Sequence, residues 1–318
     1  FINNSNLFFR DKNDEIVSIS KIKKLEYFFN LKNKDKKLNI TGNLFGSNFD
    51  FLWERNYSNP QKSKSLLKFK NPQINISNKF DGKNSNFTIA QTNINFLKKN
   101  LNLNYKYNKE NIEFFKNKNE IVSSNSSNIY GKINLIPFFF DLNLILSGLK
   151  IETVLNNIFL NLYKSKQIAH FNINGNLKIN LNEINNRLFE NLVLNLNFVD
   201  KKINLNESSL SLKKIGKISF SNPTFYEKNL KLFIKSKIKF DVDNPQELYK
   251  KFLIPRQNRV DLNKVFFEIE YNVDDGNFFL SNINFNKDTE QATNFYEINN
   301  FQQLNNLISK EFKKVTLD

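Results

Sequence analysis

Three kinds of residue in this sequence have chemistry to offer: paired carboxylates, one histidine, and lysines interleaved with aromatics. Asp241 with Asp243, and Asp274 with Asp275, are spaced so that they could chelate a hard cation through oxygen. Each pair is also explained by local structure, since Asp243 stands at a helix start and Asp274-Asp275-Gly276-Asn277 reads as a hairpin turn. No metal site is therefore expected. His170 is the single histidine of 318 residues. No serine or carboxylate arrangement around it reads as a catalytic triad, and one histidine cannot build a histidine-rich metal centre. Lys68-Phe69-Lys70 and Lys106-Tyr107 follow the basic–aromatic interleaving that can stack single-stranded nucleic acid. In a strand, however, neighbours point to opposite faces. The aromatic then cannot stack a base whose phosphate the adjacent lysine holds, and no nucleic-acid partner is expected.

The sequence lacks cysteine, so it carries no disulfide, thiolate zinc site or thiol nucleophile. It has no GxGxxG, GxxxxGK[ST] or GxSxG motif, and only eight glycines with which to cradle a phosphate. An enzyme is not expected, nor is a cofactor. The net charge of +16 points to an acidic partner such as lipid headgroups or nucleic acid. Only five residues are arginine, against a background rich in Asn, Lys, Ile and Phe that also fits A/T-rich coding; specific phosphate recognition favours arginine forks. No apolar run approaches the ~18 residues of a membrane-spanning helix. The chain begins with Phe1 and contains no methionine, so it is expected to be a fragment of a longer protein.

The elements that must position any site are mostly strands. Between Ile129 and Tyr163 two alternating patterns run into a helical one. Ile133 and Leu135 point one way; after Pro137, Phe138 and Phe140 lead into Leu142, Leu144 and Leu146, with Asp141 and Asn143 opposite. The period then changes: Ile151, Val154, Leu155, Ile158, Phe159 and Leu162 recur at helical spacing. This helix, near 152–163, is expected to cap the sheet beside Phe138 and Phe140. Upstream, Leu7–Arg10 and Ile16–Ile19 flank a polar turn, and further hairpins follow around Gly46 and Asn71-Pro72. From Phe87 to Phe115 alternation is cleanest, with Leu101, Leu103 and Tyr105 on one side. Downstream, Ile173, Leu177 and Ile179 form a strand with a bulge expected at Gly175, and Leu192, Leu194 and Leu196 continue it. Leu230 to Phe240 reads as a longer strand. Asp243 or Asn244, Pro245 and Leu248 announce a helix near 245–253. Phe267 and Ile269 precede the Asp274–Asn277 turn, and a last amphipathic helix is expected near 299–313.

The fold class expected is mainly β: a long antiparallel meander forming a twisted, curled β-groove with two or three short helices. Residues 1–122 are read as an N-terminal meander. After the serine-rich gap Ser123–Ser127, residues 123–318 continue the groove with the three helices. A sheet with one greasy face must cover it with a second layer, with helices, or with an apolar ligand. The helices are too few to do so alone, so the alternating residues named above from Leu101 to Ile269 are expected to line a groove for acyl chains.

Three stretches carry a family resemblance: NLFFRDKNDEIVSISKIKKLEYFF (Asn6 to Phe29), NIYGKINLIPFFFDLNLILSGLKIETVLNNI (Asn128 to Ile158) and FDVDNPQELYKKFLIPRQNRVDLNKVFFEIEYNVDDGNFFLSNINF (Phe240 to Phe285). Their order of elements resembles the AsmA-like proteins of Gram-negative bacteria. The resemblance implies a periplasmic β-groove held at the inner membrane by an N-terminal helix, which is expected to lie outside this fragment. It also implies passage of phospholipid, or another acyl lipid, toward the outer membrane. Two other architectures use the same alternation: an outer-membrane β-barrel, apolar outside and polar inside, and a β-sandwich surface protein with a closed dry core.

Overall fold

The computed structural model describes the chain apart from residues 11–13, 15, 45, 57–61, 72, 83–87, 97–98, 116–126, 149–173, 183, 185–187, 200–201, 287–295, 299–302, 304–305, 308–309 and 312–318. The protein is mainly β, and its described residues form a long antiparallel meander of 20 strands that is not closed. Among the described residues one α-helix is complete, α1 (Pro245–Lys251), fewer than the two or three expected. The helix expected near 152–163 lies outside the described residues. Of 299–313, Gln303, Asn306, Leu307, Lys310 and Glu311 are described, and these are helical. Contacts divide the chain into two compact units, Phe1–Ser147 with Asn161–Lys178 and Asn197–Ile203, and Gly148–Leu160 with Ile179–Leu196 and Asn204–Asp318.

The first unit is built from β1 (Ile2–Arg10), β2 (Ile16–Phe29), β3 (Lys36–Leu44), β4 (Ser47–Arg55), β5 (Lys62–Phe69), β6 (Ile74–Asp81), β7 (Thr88–Phe96), β8 (Lys99–Tyr107), β9 (Asn111–Phe115), β10 (Asn128–Leu135) and β11 (Phe138–Ser147). Each pairs antiparallel with the next. Residues directly opposite one another share a face, so the registers sort the side chains. Phe49, Phe69, Ile74 and Phe96 form one rung. Leu25, Ile40, Phe51, Leu67, Ile76, Ile94 and Leu101 form the next rung on that face. The other face carries rungs such as Thr41, Asp50, Lys68, Asn75, Asn95 and Asn100. Lys68 and Phe69 thus point to opposite faces; the ring of Phe69 lies 6.1 Å from that of Phe49.

Next along the chain come β12 (Gly175–Asn182), β13 (Phe189–Val199) and the short β14 (Lys202–Asn204). The second unit then includes β15 (Ser209–Leu212), β16 (Gly216–Lys228), β17 (Lys231–Val242), β18 (Lys264–Asn272), β19 (Phe278–Phe285) and β20 (Tyr296–Ile298), again paired antiparallel with their neighbours. Leu210, Ile218, Phe240, Val265 and Phe285 make one apolar rung, and Phe220, Ile238 and Phe267 the next. Their opposite face is charged, with Lys235 3.2 Å from Glu268 and Lys239 2.8 Å from Asp241. Between β17 and β18 the chain makes α1. Asn244 caps it by accepting from the Glu247 N–H at 3.2 Å, and Pro245 occupies its first turn. Leu248, Tyr249, Phe252, Ile254 and Leu262 pack over Leu212, Phe240, Val242 and Val265. The helix stops short of the expected 253 because Leu253 swings to φ 55 ahead of Pro255 and out to solvent.

One strand start also differs from expectation. Leu230 is not in β17; Asn229 and Leu230, at φ 53 and 62, are the turn between β16 and β17. Both central residues lie in the left-handed region, as a two-residue hairpin of matching twist requires. A leucine there is strained and 88% exposed. Leu230→Gly is expected to stabilise the protein by about 1 kcal/mol, whereas Leu248→Ala, which empties a buried site beneath α1, is expected to cost ~2–5 kcal/mol. Denaturant midpoints moving in opposite directions would check both.

Candidate apolar ligand site

In the first unit the registers place Leu101, Leu103, Tyr105, Ile133, Leu135, Phe138, Phe140, Leu142 and Leu144 on one face. Tyr105 lies opposite Phe114, Phe114 opposite Gly131, and Gly131 opposite Leu142; Ile133 meets Phe140 and Leu135 meets Phe138. Leu101 and Leu103 are buried, and the others are half-buried. Phe9 belongs to the same face through its partner Ser18. Its ring meets that of Phe138 edge-on at 5.8 Å, although β1 and β11 are ten strand steps apart, roughly 48 Å in a flat sheet. The apolar face of this unit is therefore bent inward.

Gly175 opens β12 and explains how Phe140 lies down there: a Cβ on it would sit 2.6 Å from the Phe140 ring and 2.4 Å from its carbonyl oxygen. Phe140 also packs against Phe198 at 5.4 Å. The apolar face is interrupted by one polar rung, Ser65, Asn78 and Thr92. Asn78 Nδ2 donates to Ser65 Oγ at 2.9 Å, and Asn78 Oδ1 accepts from Thr92 Oγ1 and, at 3.4 Å, from the Tyr105 hydroxyl. Burial pushes the Tyr105 phenol above its ordinary value, partly offset by the Thr92 hydrogen bond.

The second unit holds a cavity of about 270 Å³. Phe267 and Ile269, expected from sequence, line it, as do Ile238, Phe240, Leu280 and Phe285 from the neighbouring strands. Leu248 of α1 and Phe252, which follows the helix as its C-cap, line it too. Leu307 packs on Leu280 and Ile298, and Glu311, four residues on, reaches the wall. Glu311 is 8% exposed, is the one acidic residue in an otherwise hydrocarbon and aromatic lining, and accepts from the Tyr296 hydroxyl at 2.9 Å. Sequence reading did not single out Glu311. Its signal is a carboxylate on the apolar side of a helical repeat, one turn beyond Leu307.

The remaining candidate residues are placed as follows. Leu192, Leu194 and Leu196 share one face of β13 and are buried, with Leu192 opposite Leu210. Ile179 is buried and Leu177 half-buried in β12. Ile173 lies outside the described residues, as does His170. The carboxylate pairs hold local structure: Asp241 meets Lys239, Asp274 accepts from the Leu232 N–H at 2.8 Å, and Asp275 holds Lys231 at 2.7 Å. Among the described residues no cluster of three His, Cys, Asp or Glu could hold a metal, and no helix is long and apolar enough to cross a membrane. No family model matches the chain, and neither the curated proteins nor the solved structures include a match to it.

Among the described residues three phenols, buried Tyr249 and half-buried Tyr105 and Tyr226, titrate above the ordinary tyrosine value, each chiefly by desolvation. A hydrogen bond to Glu270 adds to the effect at Tyr226, and the Asp261 charge at Tyr249. A raised folded-state value means the unfolded chain ionises first, so this stability is complete below pH 10 and is lost as pH climbs above it. Stability is expected to fall in that alkaline window, and Tyr105→Phe is expected to shallow the fall; denaturation midpoints across the window check it.

Proposed function

We propose that the chain is a non-enzymatic lipid-binding protein whose apolar sheet faces receive acyl chains. One observation carries this reading: the second unit holds a partly open cavity of about 270 Å³ beside α1, lined almost wholly by hydrocarbon and aromatic side chains. Its volume sits near the low end of the ~300–1,000 Å³ typical of ligand sites. That suits a single acyl chain more than a whole diacyl lipid. Binding is passive: chains lie on Phe267, Ile269 and their neighbours, and heads stay in water. The inward-bent face of the first unit, with Phe138 and Phe140, supports the same use for a curled groove.

The biological setting we propose is that implied by the AsmA-like resemblance. The protein would act in the periplasm at the inner membrane, carrying phospholipid or another acyl lipid in outer-membrane assembly. A spanning barrel must close its sheet, and among the described residues this meander does not close, which weighs against an outer-membrane barrel.

Ile269→Trp should fill the cavity at an overpacking cost of ~1–3 kcal/mol. The expected outcome is that purified wild-type protein yields acyl lipid on solvent extraction and moves a fluorescent phospholipid between vesicles. The variant, with unchanged circular dichroism, retains little of either activity. A wild-type protein that carries no lipid and transfers none would instead mark a closed sandwich core.

A further inference from the structure

The polar face of the first unit carries a second cavity, about 560 Å³, over β4 to β8. One rung crosses its floor: Glu54 lies opposite Lys64, Lys64 opposite Lys79, Lys79 opposite Gln91, and Gln91 opposite Asn104. All five residues line the cavity. Lys64 and Lys79 are like charges directly across a strand pair, with Cβ atoms about 5 Å apart, an arrangement that destabilises a sheet. Other lysines do meet an acid, as Lys106 does Glu113 at 2.9 Å and Lys235 does Glu268. Here the one nearby acid is engaged on its other side, Glu54 with Lys37 at 3.4 Å. Among the described residues, Lys64, Lys79 and Gln91 have no ion-pair or side-chain hydrogen-bond partner.

Asn104 decides what the lysines are for. It is 9% exposed and lines the cavity, yet its side-chain amide has no partner among the described residues. Its amide is not sealed from solvent, so it stays available to hydrogen-bond a molecule in the cavity it lines. The two ammonium groups offer donors to an anion, the two amides offer donors and acceptors to hydroxyls, and the Glu54 carboxylate accepts from a hydroxyl at the far end.

We propose that this rung binds a phosphorylated polyol, with the phosphate between Lys64 and Lys79 and its hydroxyls on Gln91, Asn104 and Glu54. That chemistry is offered both by a soluble sugar or glycerol phosphate and by the glycerophosphate head of a lipid. The site lies on the opposite face from the acyl-binding surface of its unit and does not rest on that reading.

Calorimetric titration with glycerol 3-phosphate, inorganic phosphate, glycerol, and a short-chain phosphatidylglycerol below its micelle concentration tests it. Glycerol 3-phosphate is expected to bind at least about tenfold more tightly than inorganic phosphate, more weakly as salt is raised. The K64Q/K79Q double variant should lose that binding without a lower thermal midpoint, since it removes a repulsion. Asn104→Ala should erase the preference for glycerol 3-phosphate over phosphate while leaving phosphate binding in place. Tighter binding of phosphatidylglycerol than of glycerol 3-phosphate would assign the phosphate to a lipid head, and the reverse to a soluble metabolite; either upholds the site. Equal affinity for inorganic and glycerol phosphate, or binding indifferent to K64Q/K79Q, would overturn it.

Discussion

The structure depends on the in-register pairing of each strand with its chain neighbour. With a side-chain period of two, antiparallel pairing of successive strands carries one parity of residues across the whole sheet, and a slip of one residue would exchange the faces. Rungs such as Leu25, Ile40, Phe51, Leu67, Ile76, Ile94 and Leu101 exist because six consecutive pairings keep step. Where the step breaks, a bulge absorbs it, as between Ile22 and Lys24 or Phe266 and Glu268. Burying one leucine or isoleucine contributes on the order of 1.5–3 kcal/mol. The exposed lysine–glutamate pairs on the other face add little, so the energetic case for the register lies with the apolar rungs.

A sheet organised this way has a greasy face to cover, and the two units do so differently. In the second, α1 and the helical residues around Leu307 cover the apolar rungs from opposite ends and leave the hydrocarbon cavity between them. In the first, the face bends until Phe9 meets Phe138, so side chains of distant strands cover one another. The polar rung Ser65, Asn78 and Thr92 is tolerated there because its members satisfy each other. The rung from Lys64 to Asn104 on the other face is not satisfied internally, and this contrast separates a structural polar row from one with bonds to offer.

Much of this was legible from local pattern. The nine candidate residues from Leu101 to Leu144 alternate with Asn, Lys and Asp, and the registers set all nine on one face. The cap at Asn244, the proline at 245 and the Asp274–Asn277 turn follow from local hydrogen bonding and backbone preference, which sequence states directly. Less legible were the features where residue type and backbone disagree. Leu230 looks like a strand residue, yet it sits in a left-handed turn because the flanking strands β16 and β17 fix the hairpin's length.

The sequence by itself therefore determined the class of the fold and the parity of each strand, because both depend on neighbours one to four residues apart. It did not determine which rungs those parities join into, since Lys64 and Lys79, or Tyr105 and Asn78, meet only through the registers of separate strands. The inward bend that brings Phe9 to Phe138 and the convergence of Glu311 and Tyr296 at the hydrocarbon cavity were likewise decided by tertiary structure. Each joins residues from distant elements, and its geometry is set by how those elements are placed rather than by any short-range preference.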